Sequence, residues 1–180
     1  MKIGDYLIQD WRMRISARWI PTGSRVLDIG CHQGEFLTYL GNKISPSVGI
    51  DPLLNSELPM KQHQLLPWVF RDVLPFKNQS FDVISLLATI EHLYNQEELA
   101  KESWRLLKPG GRVVITMPSQ FVDKILEVFK FFRFVDGMSL EEHHGLDVKD
   151  LPVIFEQEGF ILKEWRTFQL GMNNLIVFER

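Results

Sequence analysis

The sequence predicts an α/β fold: a doubly wound, mostly parallel sheet between two helical layers, ending in an antiparallel hairpin. Three observations carry this prediction. Short apolar runs alternate with stretches of helical period through the first five strands, the pattern of crossover-connected parallel strands. The first apolar run ends in a glycine turn that opens a helix. The last two runs are joined only by LGMN at 170–173, too short for a crossover and right for a hairpin.

The elements follow in order. Leu7, Trp11, Ile15 and Trp19 recur at every fourth position, predicting a helix over 6–19 with that stripe inward and Arg12, Arg14 and Arg18 opposite. The arginines read as a solvated face or as an attraction for an anionic substrate. Pro21 closes the helix. Strands are predicted over 25–29, 47–51, 64–71, 81–87 and 112–117, the last stopped by Pro118. Helices are predicted over 34–41, with Phe36, Leu37 and Leu40 inward, and over 96–107, ended by Pro109, Gly110 and Gly111. A further helix over 120–132 carries Val122, Ile125, Leu126 and Phe129 on one face. Residues 133–145 lack periodicity and read as a loop, and 148–158 read as a helix stopped by Gly159. The hairpin strands are 160–169 and 174–179.

With 180 residues, 45% of them hydrophobic and 24% charged, the chain is expected to form one domain with a core of its own. No apolar run approaches the ~20 residues of a bilayer span, and the N-terminus lacks a signal-like apolar segment. A cytoplasmic protein without stable membrane insertion is therefore expected. The single cysteine, Cys31, excludes an internal disulfide, and no Cys/His cluster points to a metal. Twenty basic residues against twenty-three acidic is too even for a nucleic-acid backbone binder. A homo-oligomer stays open, with no sequence feature supporting it.

Ligands of such sheets lie beyond the C-terminal strand ends, so functional residues are sought just after strands. Residues 26–34 read VLDIGCHQG. Gly30 and Gly34 allow a tight turn and close backbone approach, and Asp28 offers a carboxylate to an ammonium group or an ordered water. Asp51 ends the second strand 23 residues after Asp28, where a carboxylate can accept hydrogen bonds from ribose hydroxyls. Together they point to a bound nucleoside.

Four blocks carry a family resemblance: VLDIGCHQG at 26–34, GIDP at 49–52, RDVLPF at 71–76 with SFD at 80–82, and LLKPGGRV at 106–113. In this order and spacing the chain resembles the class I S-adenosylmethionine-dependent methyltransferases, in the small single-domain group called type 11. The resemblance covers about 25–119 closely and extends through the hairpin. It implies a Rossmann-like seven-stranded sheet in the order 3-2-1-4-5-7-6 within an α/β/α sandwich, and S-adenosyl-L-methionine as cofactor. It divides the single domain into an N-terminal helix (1–22), a cofactor-binding half (23–119), a variable substrate-side insertion (120–158) and the terminal hairpin (159–180). By the same resemblance Asp28 and Gly30 face the methionine end of the cofactor, Asp51 takes the ribose hydroxyls, and Leu87 underlies the methionyl portion. Asp72 accepts from the adenine amine, with the Val73 N–H on the ring and Pro52 against its face. The other reading of Asp72 is a turn or capping residue.

The family has a glycine where this chain has His32. A positive φ there costs histidine modest strain. Its ring either turns toward the cofactor and the cleft mouth or is a tolerated surface substitution. After the fourth strand, ATIEHL at 88–93 brings His92 near the transfer point implied by the resemblance, as a candidate base or a helix-edge residue. Glu91 assists binding or begins the helix. In EEHHG at 141–145 adjacent side chains do not converge on one ion, so no metal is expected; the segment reads as a pocket rim or an exposed loop. Phe121, Phe129, Phe131, Phe132 and Phe134 pack as core, line an apolar acceptor site, or face a membrane or partner.

Methyl transfer from a sulfonium is an in-line displacement that needs alignment and exclusion of water, not a nucleophilic side chain. The expected activity is methylation of a small-molecule acceptor. Nucleic acid is disfavoured, because neither a basic arm nor an (Asn/Asp)-Pro-Pro-Tyr motif is present. Two other readings stay open: an NAD(P)-dependent oxidoreductase using the same glycine turn and Asp51, and a non-catalytic S-adenosylmethionine-binding protein. Binding of S-adenosylhomocysteine against a nicotinamide dinucleotide separates the first; product formation over a broad acceptor panel excludes the second.

Overall fold

Aliphatic runs bounded by glycine, proline and serine make the central strands, which are buried on both faces as a parallel sheet requires. The computed structural model describes residues 3–119 and 146–180. The strands are β1 (Val26–Ile29), β2 (Val48–Ile50), β3 (Leu58–Met60), β4 (His63–Leu66), β5 (Phe81–Leu87), β6 (Leu107–Pro118), β7 (Ile161–Phe168) and β8 (Asn173–Glu179). The described α-helices are α1 (Ile3–Ser16), α2 (Glu35–Leu40), α3 (Gln96–Leu106) and α4 (Asp150–Gln157). The sheet order is β3-β4-β2-β1-β5-β6-β8-β7. With the edge strand β3 set aside, this is the seven-strand order expected from the sequence. It is parallel from β4 to β6 and antiparallel at β8 and β7.

The side-chain period of two divides the core between the faces. Val26 of β1 joins Phe36, Leu37 and Leu40 of α2 and Ile15 of α1. Leu27 and Ile29 join Leu99 and Leu106 of α3 and Leu151 and Phe155 of α4. On that second face the fully buried rings of Phe155 and Phe178 stack with centroids 4.5 Å apart, locking α4 to β8.

Several elements depart from the expected outline. β3 is an added antiparallel edge strand, folded onto β4 through the turn at Lys61. Pro59 in it cannot donate to a ladder, which suits an edge and hides the strand from pattern reading. β4 ends at Leu66 rather than at 71, because Pro67 has no N–H for the next bond. β6 begins at Leu107, and its register with β5 shifts between Phe81 and Val83, absorbing the Pro-Gly-Gly segment as a bulge. In α1, of the expected inward residues Leu7, Trp11 and Ile15 only Ile15 is buried; Leu7 and Trp11 are exposed. Arg12, read as part of the solvated face, turns inward instead, toward the carboxyl of Glu91. A buried acid needs a cation more than it needs another apolar neighbour.

The expected 120–132 helix, 133–145 loop, phenylalanine cluster and 141–145 segment lie outside the described residues. Among the described residues no helix is long and apolar enough to cross a membrane.

Replacing Phe155 by alanine empties a fully buried site stacked on Phe178. The expected loss is about 3–5 kcal/mol of unfolding free energy, read from urea titration with an unchanged slope.

Candidate functional site

Because β4, β2, β1, β5 and β6 run the same way, their carboxyl ends and the segments that follow meet at one rim of the sheet. The described residues form a cleft of about 1010 Å³ there, roofed in part by Gln9, Arg12 and Met13 of α1.

Asp28 sits near the end of β1, opposite Gly49 of β2 and Ser85 of β5. Its side chain is buried, and the Ser85 hydroxyl donates to Oδ1 at 2.6 Å. Burial pushes this carboxyl up to about 7; the Ser85 bond opposes the rise, while Glu35 and Asp51 add to it. Gly30 follows at φ +75°, with its N–H on the Ile50 carbonyl at 2.9 Å. A Cβ at Gly30 would collide with the Thr89 side chain, so glycine lets the post-β5 segment close over the turn. Cys31 is buried behind that turn, and a Cβ on Gly49 would meet its Sγ at 2.7 Å. Burial and the nearby Asp28 and Asp51 push its thiol far above the usual range.

Asp51 ties two loops together. Its Oδ2 accepts from the His32 N–H and its Oδ1 from the Leu53 N–H, each at 2.8 Å. Each oxygen retains a lone pair for a further donor. His32 adopts φ +48°, the left-handed conformation its place in the turn suggested, and its Nδ1 lies 2.7 Å from Glu35 Oε1. Ala88, just past β5, also has a positive φ, +56°, and its N–H donates to Thr116 O at 2.8 Å. Both are uncommon conformations for residues with a side chain, and both lie on the cleft wall.

The cleft brings together Asp28, Gly30, His32, Asp51, Pro52, Asp72, Leu87 and His92. Gly34 and Val73 do not line it. Gly34, at φ +79°, opens α2 and packs against Met60, which a Cβ would approach to 2.8 Å. Val73 is exposed beside Asp72. Trp68 and Phe70, which sequence reading assigned to a strand, line the cleft because β4 stops before them.

The Arg12–Glu91 couple was not legible in the sequence as a pair. Arg12 Nε and Glu91 Oε2 are both buried without a hydrogen-bond partner. Burial pushes Glu91 up to about 7, against the pull of its own N–H and of Arg12. Burial lowers Arg12, and Glu91 opposes that.

The segment after Asp72 is pinned from behind. Arg105 donates to both carboxylate oxygens of Glu102 at 2.7 Å, to the carbonyls of Leu74 and Phe76 at 3.0 and 2.9 Å, and to Asn78 Oδ1 at 2.6 Å. Glu102 also accepts from the Leu74 N–H at 2.7 Å.

A family model described as a methyltransferase domain matches residues 2–163. The chain belongs to this methyltransferase family. It is a class I enzyme, and its cofactor is S-adenosylmethionine. The methyltransferase is 27% identical over 185 residues to the demethylmenaquinone methyltransferase of Lactococcus lactis, covering 87% of this chain and 73% of that protein. It is 29% identical over 192 residues to the demethylmenaquinone methyltransferase of Staphylococcus aureus, covering 90% and 78%. Among solved structures, an S-adenosylmethionine-dependent methyltransferase of Mesorhizobium loti superposes with a TM-score of 0.69 at 14% identity, covering 93% of this chain and 96% of that one. The nicotinamide-dependent and non-catalytic readings are not favoured.

Arg105→Ala leaves the buried Glu102 carboxylate of the methyltransferase without its cation. A stability loss of about 3 kcal/mol is expected by urea titration. The pair replaced by two leucines is expected to recover part of that loss while weakening binding of S-adenosylhomocysteine, because the loop bearing Asp72 is no longer held.

Proposed function

We propose that this methyltransferase alkylates a small-molecule acceptor, with its cofactor lying across the tips of β1, β2 and β4 and the acceptor entering beside His92. One observation carries the reading: Asp28 in β1, Asp51 just past β2 and Asp72 in the segment after β4 open into a single cleft.

The donor set fits the cofactor. Asp51, with a free lone pair on each oxygen, suits the two ribose hydroxyls. Pro52, Leu53, Trp68 and Phe70 offer an apolar bed for adenine, and Asp72 an acceptor for its amine. The amino-acid end of the cofactor carries both an ammonium and a carboxylate. Asp28 complements the first, and Arg12, with its unpartnered buried Nε, the second. Leu87 and the Gly30 turn supply backbone beside this end. When bound, S-adenosylmethionine supplies a sulfonium-activated methyl group for in-line displacement. The chain's own tasks are then alignment, exclusion of water by α1, and removal of a proton from a hydroxyl, amine or thiol acceptor. His92 at the cleft wall suits that last role, since imidazole exchanges protons near neutral pH. The names of the sequence relatives make demethylmenaquinone the first acceptor to test.

The deciding assay measures S-adenosylhomocysteine formed from S-adenosylmethionine over an acceptor panel led by reduced demethylmenaquinone. No product with any member, from protein that binds S-adenosylhomocysteine, overturns the catalytic reading. Asp51→Ala is expected to weaken S-adenosylhomocysteine binding by about tenfold to a hundredfold in calorimetry. Asp28 gives a pH signature. Its carboxyl is raised from 3.8 to about 7 in the folded protein, so the neutral form prevails below 7 and cannot pair with an ammonium. Affinity is expected to rise about tenfold from pH 6 to pH 8, and Asp28→Asn to flatten that rise. The same shift makes the contribution of Asp28 to unliganded stability fall as pH climbs from about 4 to about 7, because only the unfolded chain releases the proton there.

A further inference from the structure

Helix α1 roofs the cleft with Gln9, Arg12 and Met13, yet its own apolar side chains do little to fix it there. Tyr6, Leu7 and Trp11 are exposed, and among the described residues Ile15, in the last turn, is its buried apolar anchor. The earlier turns have a polar tie instead. Gln169 Nε2 donates to the Ile8 carbonyl at 2.7 Å, across 161 positions of sequence. In an α-helix that carbonyl also accepts the Arg12 N–H, so the grip falls one turn before Arg12 and on the same side of the helix. Asn173 fixes which way the amide faces: its Nδ2 donates to Gln169 Oε1 at 2.5 Å, which leaves Nε2 for Ile8.

The turn that carries Gln169 is unsuited to it. Gln169 and Leu170 have positive φ, +51° and +57°, and the Gly171 N–H donates to the Phe168 carbonyl at 3.1 Å, so the two are the central pair of a tight hairpin turn. Such positions favour asparagine and glycine. Leu170 is 94% exposed, whereas Gln169 beside it is 2% exposed with its amide turned in. Backbone strain retained by a side chain with two buried hydrogen bonds is a mark of a functional position. Arg12, one turn beyond the tie, keeps a buried Nε without a hydrogen-bond partner.

We propose that Gln169 is a positioning residue for cofactor binding: through the Ile8 carbonyl it holds α1 so that the Arg12 guanidinium meets the cofactor's carboxylate. Resting on the proposed placement of the cofactor, this gives the terminal hairpin a part in recognising the amino-acid end. Hydrogen bonds weaken steeply with misalignment. A roof free to slide on an apolar contact would bind a carboxylate poorly, whereas a buried amide bond permits one register. The adenosine portion, assigned to Asp51, Asp72 and the apolar bed beside them, takes nothing from Arg12.

The test is calorimetry of the full chain with S-adenosylhomocysteine and with 5′-methylthioadenosine, which shares the adenosine and thioether but lacks the amino-acid end. Gln169→Met keeps the length and removes the amide. Gln169→Asn suits the turn and keeps the amide but falls a methylene short of Ile8. Each is expected to weaken S-adenosylhomocysteine about tenfold and to leave 5′-methylthioadenosine within about twofold of wild type. Arg12→Met is expected to show the same selectivity with at least as large a loss. The Arg12→Met/Gln169→Met double variant is expected to bind no worse than Arg12→Met alone, because Gln169 acts through Arg12. Should Gln169→Met fail to fold, Gln169→Asn still decides, since asparagine favours the left-handed turn. Equal weakening of both ligands, the mark of a merely structural role, overturns the proposal. So do unchanged binding of both, losses that multiply in the double variant, or normal S-adenosylhomocysteine binding by Arg12→Met. With any of these outcomes, wild-type binding of S-adenosylhomocysteine leaves the cofactor reading in place; a wild type that binds neither ligand overturns both.

Discussion

A carboxyl group taken out of water at the tip of β1 is the constraint around which the cleft is arranged. Asp28 is held between β2 and β5 by parallel pairing, so it cannot swing to solvent, and among the described residues the Ser85 hydroxyl is its hydrogen-bond donor. Two further acids nearby deepen the discomfort. Such a group is poised near neutrality and becomes comfortable as an anion only when a cation is delivered to it. On the proposed reading, delivery of the cofactor's ammonium group and ionisation of Asp28 are one coupled event.

The surroundings keep that site rigid. Asp51 stitches the glycine turn to the loop after β2 through two backbone N–H groups, and Arg105 with Glu102 fixes the segment after Asp72 through backbone carbonyls and an N–H. Two residues with side chains, His32 and Ala88, hold left-handed backbone conformations on the cleft wall. Strain of this kind persists because packing overdetermines it, and here it is concentrated where strands hand over to loops. A site assembled in advance loses little conformational freedom on binding.

Much of this was readable from residue order because it is local. Strand burial, the glycine turn and the carboxylates in or after strands each depend on a few neighbours, and Asp28, Asp51 and Asp72 fell into one cleft accordingly. What failed to read is what depends on partners distant in sequence. The every-fourth-residue stripe of α1 holds only at its carboxyl end, where Ile15 is buried and Trp19 packs against the core, while Leu7 and Trp11 stay exposed and Arg12 lines the cleft within electrostatic reach of the buried Glu91. Glu91 read as an aid to binding or as a helix start, and its pairing with a distant arginine had no local signal. The edge strand β3 is three residues long and contains proline, so neither alternation nor propensity marks it. Pro67 did carry a signal, and the run through Phe70 masked it: those aromatics pack on the core and line the cleft without joining a ladder.

Cys31 gives the molecule an internal clock. Its sulfur is packed against the β2 backbone, and burial together with its acidic neighbours holds the thiol protonated, so an alkylating reagent finds little thiolate while the turn is shut. Each labelling event then reports an opening, local or global, that exposes this sulfur. As the sequence has no second thiol, the labelling rate of the bulk protein counts the openings at that one position.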